Sequence, residues 1–286
     1  MQQTKEEATY NGSIRLRIES KEREDGEPVS YLAEQYYKLP LQVMTPFYQD
    51  SDGTVSLYLL NPSGGMLEYD NFLVDVQVGN DAQAHLLTPS ANKVYRRKSD
   101  GIARQTNIFT VGEGSTLEYL PEEMIPFKDS AFHQDTTFYL KKDSQLITWD
   151  IMAAGRAARG EVFDFSQYSS YMNIYIEDEL VLVDRMKLLP AQTNIHSQLC
   201  MKDSLFLATV YCYSQAGCTE EMVQMIRETL GDLCKEEIGI SCPEPGFIII
   251  KVLENHMHLL HNKLKIIWSI LRSGILHKEI IITRKY

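Results

Sequence analysis

Residues 59–70 read Leu-Leu-Asn-Pro-Ser-Gly-Gly-Met-Leu-Glu-Tyr-Asp, and residues 86–97 read Leu-Leu-Thr-Pro-Ser-Ala-Asn-Lys-Val-Tyr-Arg-Arg; the stretch from 59 to 97 decides the fold. Its first half contains a proline followed by Gly64 and Gly65, which indicates a loop of special backbone shape because glycine tolerates positive φ. Between the two halves, apolar and polar residues alternate over 71–78, the period of a strand buried on one face. The sequence therefore predicts a shaped loop carried by a rigid strand.

A weak internal repeat extends this pattern along the chain. The segments 78–84, 111–117 and 140–146 each contain an apolar strand end, a short polar turn, a small residue and a new apolar start. Spacings of about 30 residues suggest stacked structural units. Because these units consist of strands, the repeat favours a β-solenoid or a wound β-sandwich, and chance similarity among ordinary hairpin turns is the alternative.

The flanking segments predict two hairpins and a change of structure near the C-terminus. Alternating residues at 13–19 and an acidic turn within 172–183 each indicate a hairpin. After a strand at 205–213, helical spacing begins with Thr219 as N-cap, and a second helix from Met257 is expected to end at Ser273-Gly274.

The predicted fold class is mainly β, with a wound body that resembles a β-helix or solenoid. This body is expected over residues 1–200, and a small C-terminal α/β portion with two helices over residues 201–286 is expected to pack on it as one structural unit.

Composition restricts the possible partners. The chain has 286 residues, 44% hydrophobic and 23% charged, which is ordinary for a soluble globular protein. A net charge of −11 opposes nucleic acid and anionic membranes as partners, because phosphate binding requires a basic surface. The N-terminus lacks the features of a signal peptide and no apolar run is long enough to span a membrane, so a cytoplasmic location is expected.

Motifs of nucleophilic and nucleotide-binding enzymes are missing from the sequence. Neither a Gly-x-x-x-x-Gly-Lys-Ser/Thr loop nor a Gly-x-Ser-x-Gly elbow occurs, and no two of the five cysteines are spaced as Cys-x-x-Cys. A nucleophilic enzyme therefore has no support in the sequence. The C-terminal histidines leave two interpretations open, surface residues or a metal site. Among His256, His258 and His261, only His258 and His261 lie on one helix face and could share an ion.

Carboxylates beside glycines or at strand ends are the remaining candidates for chemistry. They are Glu68, Asp70, Glu118, Glu122, Glu123, Asp150 and Glu161. In a wound β structure such groups can converge, and their oxygen atoms suit transient capture of a divalent cation. Solvated or salt-bridged carboxylates are the alternative. Arg156 is expected either to pair with one of these acids beside a groove or to form a structural salt bridge within its loop.

Five motifs occur in the order and spacing of one known family. They are Leu60–Gly65 with Asp70, Thr88–Tyr95, Ala103-Arg104-Gln105, Leu117–Pro121 with Glu123, and Gly155-Arg156 with Gly160-Glu161. In these motifs the sequence resembles the urease accessory protein UreD, called UreH in some systems, from about residue 12 to 190 and more loosely beyond. Glu68 and Tyr69 depart from the family, since they stand where a second glycine pair is usual.

The resemblance implies a β-helix-like fold and a non-enzymatic role. Proteins of the UreD family bind the urease apoprotein and the accessory protein UreF, which recruits the GTPase UreG, and nickel is thought to reach urease through an internal passage. No tightly bound cofactor is implied, only nickel in transit. The acids expected along the path are Asp70, Glu118, Glu123, Asp150 and Glu161. The residues expected to shape it are Asn61, Gly64, Gly65, Lys93, Gly155, Arg156 and Gly160.

Three interpretations of function stay open at the level of sequence. The first is a scaffold that links apo-urease to UreF and UreG and passes nickel along an acidic interior. The second is an assembly clamp without metal contact. The third, from a different class, is a β-solenoid polysaccharide lyase or binding module with the acids in an external groove. Whether Glu68 joins the path or faces solvent is likewise open.

Overall fold

The chain forms a β-solenoid of four coils in a computed structural model that describes residues 9–24, 26–197, 200–231, 238–279 and 281. The strands before and within the first coil are β1 Gly12–Glu22, β2 Pro28–Lys38, β3 Gln42–Val43, β4 Val55–Leu60, β5 Gly65–Met66 and β6 Asn71–Val78. The next two coils contain β7 Gln83–Leu87, β8 Asn92–Val94, β9 Ala103–Val111, β10 Thr116–Leu120, β11 Met124–Pro126 and β12 Ala131–Leu140.

The fourth coil leads directly into the C-terminal elements. These are β13 Gln145–Ala153, β14 Gln167–Ile176, β15 Glu179–Leu188, β16 Phe206–Tyr213, helix α1 Glu220–Leu230, β17 Ile238–Ser241, β18 Phe247–Glu254 and helix α2 Met257–Ile275. Within the described ranges, neither helix is long and apolar enough to cross a membrane.

Two long sheets face each other across the lumen of the solenoid. The first has the order β15-β14-β12-β9-β6-β1-β2, and the second has the order β17-β18-β16-β13-β10-β7-β4-β3. Successive coils pair in parallel, whereas antiparallel pairs such as β1 with β2 and β14 with β15 lie at the two ends. The short strands β5, β8 and β11 form a third face.

The internal repeat in the sequence corresponds to the coil of the solenoid. Val78 pairs with Val111, and Val111 pairs with Leu140, so like positions of the repeat occupy one register. On the second sheet, Leu117 likewise pairs with both Ala84 and Leu146. The predicted mainly β, solenoid-like fold with two C-terminal helices is confirmed.

The second sheet is buried on both faces. Its inner face contributes Leu57, Leu117 and Leu146 to the lumen. Its outer face contributes residues such as Ile147 and Ile151, which pack beneath α1 and α2. The sequences of its strands are therefore nearly continuous apolar runs rather than alternating apolar and polar residues.

The C-terminal elements continue this sheet. Strand β16 pairs with β13 of the fourth coil, and β18 pairs with β16. Thr219 caps α1 as predicted, because its Oγ1 accepts a hydrogen bond from the amide of Met222 at 3.4 Å. Leu233, expected on the same helix, lies outside the described residues.

The expected end of α2 at Ser273-Gly274 is wrong, since the helix continues to Ile275. Gly274 serves packing instead of termination. A Cβ atom built on it would lie 2.4 Å from Cε of Met222, so the glycine leaves room for the end of this side chain of α1.

Candidate functional site: a polar seam in the lumen

Polar side chains interrupt the apolar lumen in coils two to four. We call this group the polar seam, and its members are Gln105, Asn107, Gln134, Thr136, Thr148, Asp150 and Ser170. Asn107 and Thr136 face inward because they are in phase with the buried rings of Phe109 and Phe138, two residues further along β9 and β12. The seam is therefore an inner-face feature of the strands.

Hydrogen bonds join seam residues of adjacent coils. Gln105 Nε2 donates to Asn107 Oδ1 at 2.9 Å, and Asn107 Nδ2 donates to Thr136 Oγ1 at 3.0 Å. Asn107 and Thr136 are direct partners in the β9–β12 register. The Asn107 amide and the Thr136 hydroxyl thus have partners, which offsets the cost of removing them from water.

Asp150 is the acid that the structure places on the seam. Ser170 Oγ donates to its Oδ2 at 2.5 Å, and Gln134 Nε2 approaches its Oδ1 at 3.5 Å. Burial raises the pKa of Asp150, the hydrogen bonds from Ser170 and Gln134 oppose the rise, and the charge of Asp184 adds to it. Among the described residues Asp150 forms no ion pair, and its polar contacts come from uncharged groups.

Asp184 marks the far end of the lumen. Its Oδ2 accepts a hydrogen bond from the Tyr211 hydroxyl at 3.0 Å and lies 2.7 Å from the ammonium of Lys251. Asp184 is thus paired with a cation, in contrast to Asp150.

Two adjoining cavities follow the seam. A cavity of about 60 Å³ is lined by Asp150 and other seam residues, together with Glu122. A larger cavity of about 450 Å³ lies beside it, and both are lined by Thr88, Asn92, Gln105 and Tyr119. The smaller cavity has room for about two water molecules at roughly 30 Å³ each.

The loop at residues 61–70 forms part of the wall of the larger cavity, through Asn61 and Gly64. Asn61 Nδ2 donates to the carbonyl of Gly65 at 3.0 Å and to Asn92 Oδ1 at 3.1 Å, which ties coil one to coil two. Gly64 has φ +72°. A Cβ on Gly65 would lie 2.5 Å from the carbonyl oxygen of Lys93, so glycine is required where β5 meets β8.

Lys93, Glu68 and Asp70 lie in or beside this loop but do not line the two cavities. Among the ion pairs of the described residues, none joins Lys93 to a predicted acid. Asp70 Oδ2 accepts from the amide of Leu67 at 2.7 Å, and Asp70 Oδ1 accepts from Asn11 Nδ2 at 3.3 Å. Neither Asp70 nor Glu68 lines the two cavities.

Glu68 binds the following loop. Its Oε2 accepts hydrogen bonds from the amide of Ser99 at 2.9 Å and from the Ser99 hydroxyl at 2.7 Å. These bonds from Ser99 lower the pKa of Glu68. Glu68 thus fastens one turn to another and faces away from the two cavities.

Glu161 and Arg156 form a two-point ion pair. Arg156 Nε donates to Glu161 Oε2 at 2.8 Å, Nη2 bonds Oε1, and the guanidinium stacks on Phe127 at 4.0 Å. Arg156 lowers the pKa of Glu161.

Both predicted glycines of this loop have positive φ, +133° at Gly155 and +78° at Gly160. A Cβ on Gly155 would lie 2.8 Å from the Glu161 carbonyl oxygen. The loop is therefore closed tightly around its own salt bridge.

Glu118 lies outside the lumen, beneath α2. It is fully buried, its Oε2 accepts from Trp268 Nε1 at 2.6 Å, and both oxygens lie 3.2 Å from Arg272 Nε. Arg272 also bonds Asp50, which precedes the first coil. Glu118 is thus part of the contact between the second sheet and α2.

Glu123 belongs to a further group at the edge of the smaller cavity. The ring nitrogen Nε2 of His261 lies 3.5 Å from Glu122 Oε2 and 4.0 Å from Glu123 Oε2. Of the predicted histidine pair, His261 on α2 thus meets acids of the turn after β10. The His258 ring lies beside that of His256, with ring centroids 5.7 Å apart and the rings tilted by 38°.

Sequence reasoning missed the uncharged members of the seam. Their signal was present, because Gln105, Asn107, Gln134 and Thr136 occupy the same phase as the apolar residues of β9 and β12. A nickel-path role for the five predicted acids stays a prediction. Of these five, Asp150 lines the smaller cavity, and Glu122, the residue before Glu123, lines it as well.

Comparison with known proteins gives a consistent picture. A family model described as UreD urease accessory protein matches residues 10–285. The urease accessory protein UreH of Helicobacter hepaticus is 31% identical over 246 residues, covering 86% of this chain and 93% of that protein.

Two further relatives are named urease accessory protein UreD. The protein of Acetivibrio thermocellus is 30% identical over 240 residues, covering 84% of this chain and 91% of its own length. The protein of Lachnoclostridium phytofermentans is 29% identical over 243 residues, covering 84% and 86%. All three relatives are named accessory proteins rather than enzymes.

Proposed function

We propose a function from one premise: the chain belongs to the UreD family of urease accessory proteins, and its role lies in urease maturation. In the proposal, the chain is a scaffold that joins the urease apoprotein to UreF and, through UreF, to the GTPase UreG. It passes nickel toward the urease active site along the lumen of the solenoid. No tightly bound cofactor is needed for this role, since nickel is the cargo.

The observation that carries the proposal is the position of Asp150 beside the smaller cavity. Its carboxylate faces uncharged donors, and the cavity runs along amide and hydroxyl groups of the seam. A divalent cation that leaves water needs oxygen ligands in place of its hydration shell. Asparagine, glutamine and threonine oxygens provide such ligands without holding the ion tightly.

The charge state of Asp150 supports exchange rather than storage. Because burial raises its pKa, the carboxyl group is more easily protonated than a carboxyl group in water. An arriving cation displaces the proton, and a returning proton favours release, since metal ligation requires the deprotonated group.

The other predicted acids are given supporting roles in this proposal. Asp70 and Glu161 hold their loops, and Glu118 holds α2 against the second sheet. These contacts keep the coils in register around the lumen. Glu123 stands apart from them, since it lies beside Glu122 and His261.

The test is Asp150→Asn in cells that co-express urease and the other accessory proteins. The substitution keeps size and hydrogen bonding but removes the charge. We expect purified urease to contain less nickel, while urease and UreF are still recovered with the variant. Asp135→Asn is the matched control, because Asp135 lies on β12, the strand that precedes β13 in the chain, and pairs with His133 at 2.7 Å outside the seam. Normal nickel content with Asp150→Asn contradicts the path.

The assembly clamp without metal contact is the second candidate. It is favoured by the number of predicted acids that are already engaged in structural contacts, Asp70, Glu118 and Glu161 among them. Equilibrium dialysis of the accessory complex against Ni²⁺ separates the two candidates, since a clamp leaves nickel binding unchanged when the chain is added.

The external-groove lyase loses its support. The family consists of accessory proteins, and Arg156 and Glu161 neutralise each other in a closed loop.

A further inference from the structure

We propose that Glu122, Glu123 and His261 form a divalent-cation site at the mouth of the polar seam. The choice of nickel as its ion rests on the proposed function, whereas the site itself rests on the positions of its ligand atoms. The three residues, which we call the carboxylate–imidazole cluster, each offer one ligand atom, and these atoms lie within 4.8 Å of one another.

The distances suit shared coordination after a small adjustment. Two ligand atoms bound at right angles to one ion, each at roughly 2.0–2.2 Å, are about 3 Å apart. His261 Nε2 lies 3.5 Å from Glu122 Oε2 and 4.0 Å from Glu123 Oε2, and the three ligand atoms all lie within 4.8 Å of one another, so closing around an ion needs movements of up to about 2 Å. Side-chain rotation alone provides such movements.

The donor set selects a class of ion. An imidazole nitrogen suits nickel, zinc and copper, and carboxylate oxygens widen the set to harder cations. Three protein ligands leave positions for water, which is the arrangement of a site that exchanges its ion. A mixed site of this kind favours nickel over calcium and magnesium, which take oxygen ligands.

The cluster is assembled by contacts that hold the backbone on both sides. The Glu122 amide donates to Thr88 Oγ1 at 2.8 Å, and Trp149 Nε1 donates to the carbonyl of Pro121 at 2.8 Å. On the other side, α2 is fixed by the fully buried side chains of Leu260 and Leu264, which flank His261. The ligand atoms are therefore brought together by packing that does not involve an ion.

The position of the cluster links the surface with the lumen. The His261 side chain is 34% exposed, whereas the side chains of Glu122 and Glu123 are 12% and 13% exposed. Glu122 also lines the cavity that contains Asp150. The ligand atoms His261 Nε2 and Glu123 Oε2 are themselves buried, so an ion held by the cluster lies beneath the partly exposed His261 ring and adjoins the seam through Glu122.

The experiment is Ni²⁺ titration of the full-length chain by calorimetry, in wild type, His261→Ala and the double variant E122Q/E123Q. We expect each change to weaken binding at one site by about tenfold or more, the scale on which even outer partners of metal ligands act. His258→Ala is the matched control. It removes an exposed histidine of the same helix and is expected to leave the titration unchanged.

Spectroscopy distinguishes the loss of a nickel ligand from misfolding of the variant. X-ray absorption of the nickel-loaded wild type is expected to show imidazole scattering that is lost in His261→Ala, while circular dichroism stays the same. If His261→Ala binds Ni²⁺ with wild-type affinity, the cluster is only an ion pair between histidine and glutamate, and the proposal is overturned.

The outcome also separates this site from the proposed path. Loss of binding in His261→Ala together with normal urease nickel in Asp150→Asn supports the site and contradicts the path. Unchanged binding in His261→Ala together with low urease nickel in Asp150→Asn contradicts the site and supports the path.

Discussion

Asp150 and Glu118 lie on opposite faces of the same sheet, and their surroundings differ in charge. Glu118, on the outer face, contacts the guanidinium of Arg272 and the indole of Trp268. Asp150, on the inner face, contacts a hydroxyl and an amide. A buried carboxylate with a fixed cation is committed to holding structure. A carboxylate that meets only uncharged donors is left able to meet a mobile cation.

The largest effect is expected on the Glu118 side. Arg272→Met leaves Glu118 and Asp50 without their shared cation, and breaking a buried ion pair costs about 3–5 kcal/mol. Denaturant unfolding measures this loss. The control is Arg227→Met on α1, whose pair with Glu220 is exposed at 3.7 Å and is worth about 0–1 kcal/mol. Equal losses in the two variants contradict the distinction between the regions.

An intermediate effect is expected inside the seam. Thr136→Val keeps the shape of the side chain but leaves the Asn107 amide without its acceptor, which costs about 1–3 kcal/mol. Thr137→Val is the control, because Thr137 is the next residue of β12 and points to the outer face, where its Oγ1 accepts a long hydrogen bond of 3.5 Å from Asn173 Nδ2. A Thr136→Val variant as stable as its control shows that the Asn107 amide does not depend on this bond.

The smallest effect is a difference in pH dependence. The raised pKa of Asp150 means that its protonated form favours the folded state, and this contribution is lost as pH rises from near 3.8 through the folded pKa. Asp150→Asn is therefore expected to gain stability relative to wild type over that rise. The free energy of unfolding, measured from pH 4 to 7, gives the comparison.

Glu161→Gln is expected to change the pH dependence of stability in the opposite direction from Asp150→Asn. Arg156 lowers the pKa of Glu161, so the carboxylate stabilises the fold above about pH 4.5, and this stabilisation disappears as pH falls through the folded pKa. The variant is expected to lose stability relative to wild type at neutral pH and to match it in acid. Two parallel pH profiles contradict the assignment of opposite environments to Asp150 and Glu161.

The architecture was predictable because a solenoid repeats its pattern. Turns at 78–84, 111–117 and 140–146 occupy equivalent corners of successive coils. Their spacing favoured a solenoid but left ordinary hairpin turns as the alternative, and the resemblance to the UreD family agreed with the solenoid. The two helices were predictable from spacing and from the Thr219 cap. The end of α2 was not, since Gly274 is explained by contact with Met222, a residue on another helix.

The local sequence pattern did not predict on which face of the sheet each acidic side chain lies. Every residue of β10 from Thr116 to Leu120 is buried, so alternation does not show whether Glu118 or Tyr119 points to the lumen. Only the docking of α2 decides this, and α2 is about 150 residues away in sequence. The meeting of His261 with Glu122 depends on the same docking.

Asn107 on coil two and Thr136 on coil three stand in the same register, as do Gln134 and Ser170 on coils three and four. Polar groups therefore recur at the spacing of neighbouring strands, about 4.7–4.9 Å. If the proposed path is correct, this regular spacing would offer a cation a series of equivalent oxygen positions, one for each coil. Its transit would then be a series of thermally activated steps between neighbouring positions, with a rate set by the barrier between them rather than by the opening of a gate.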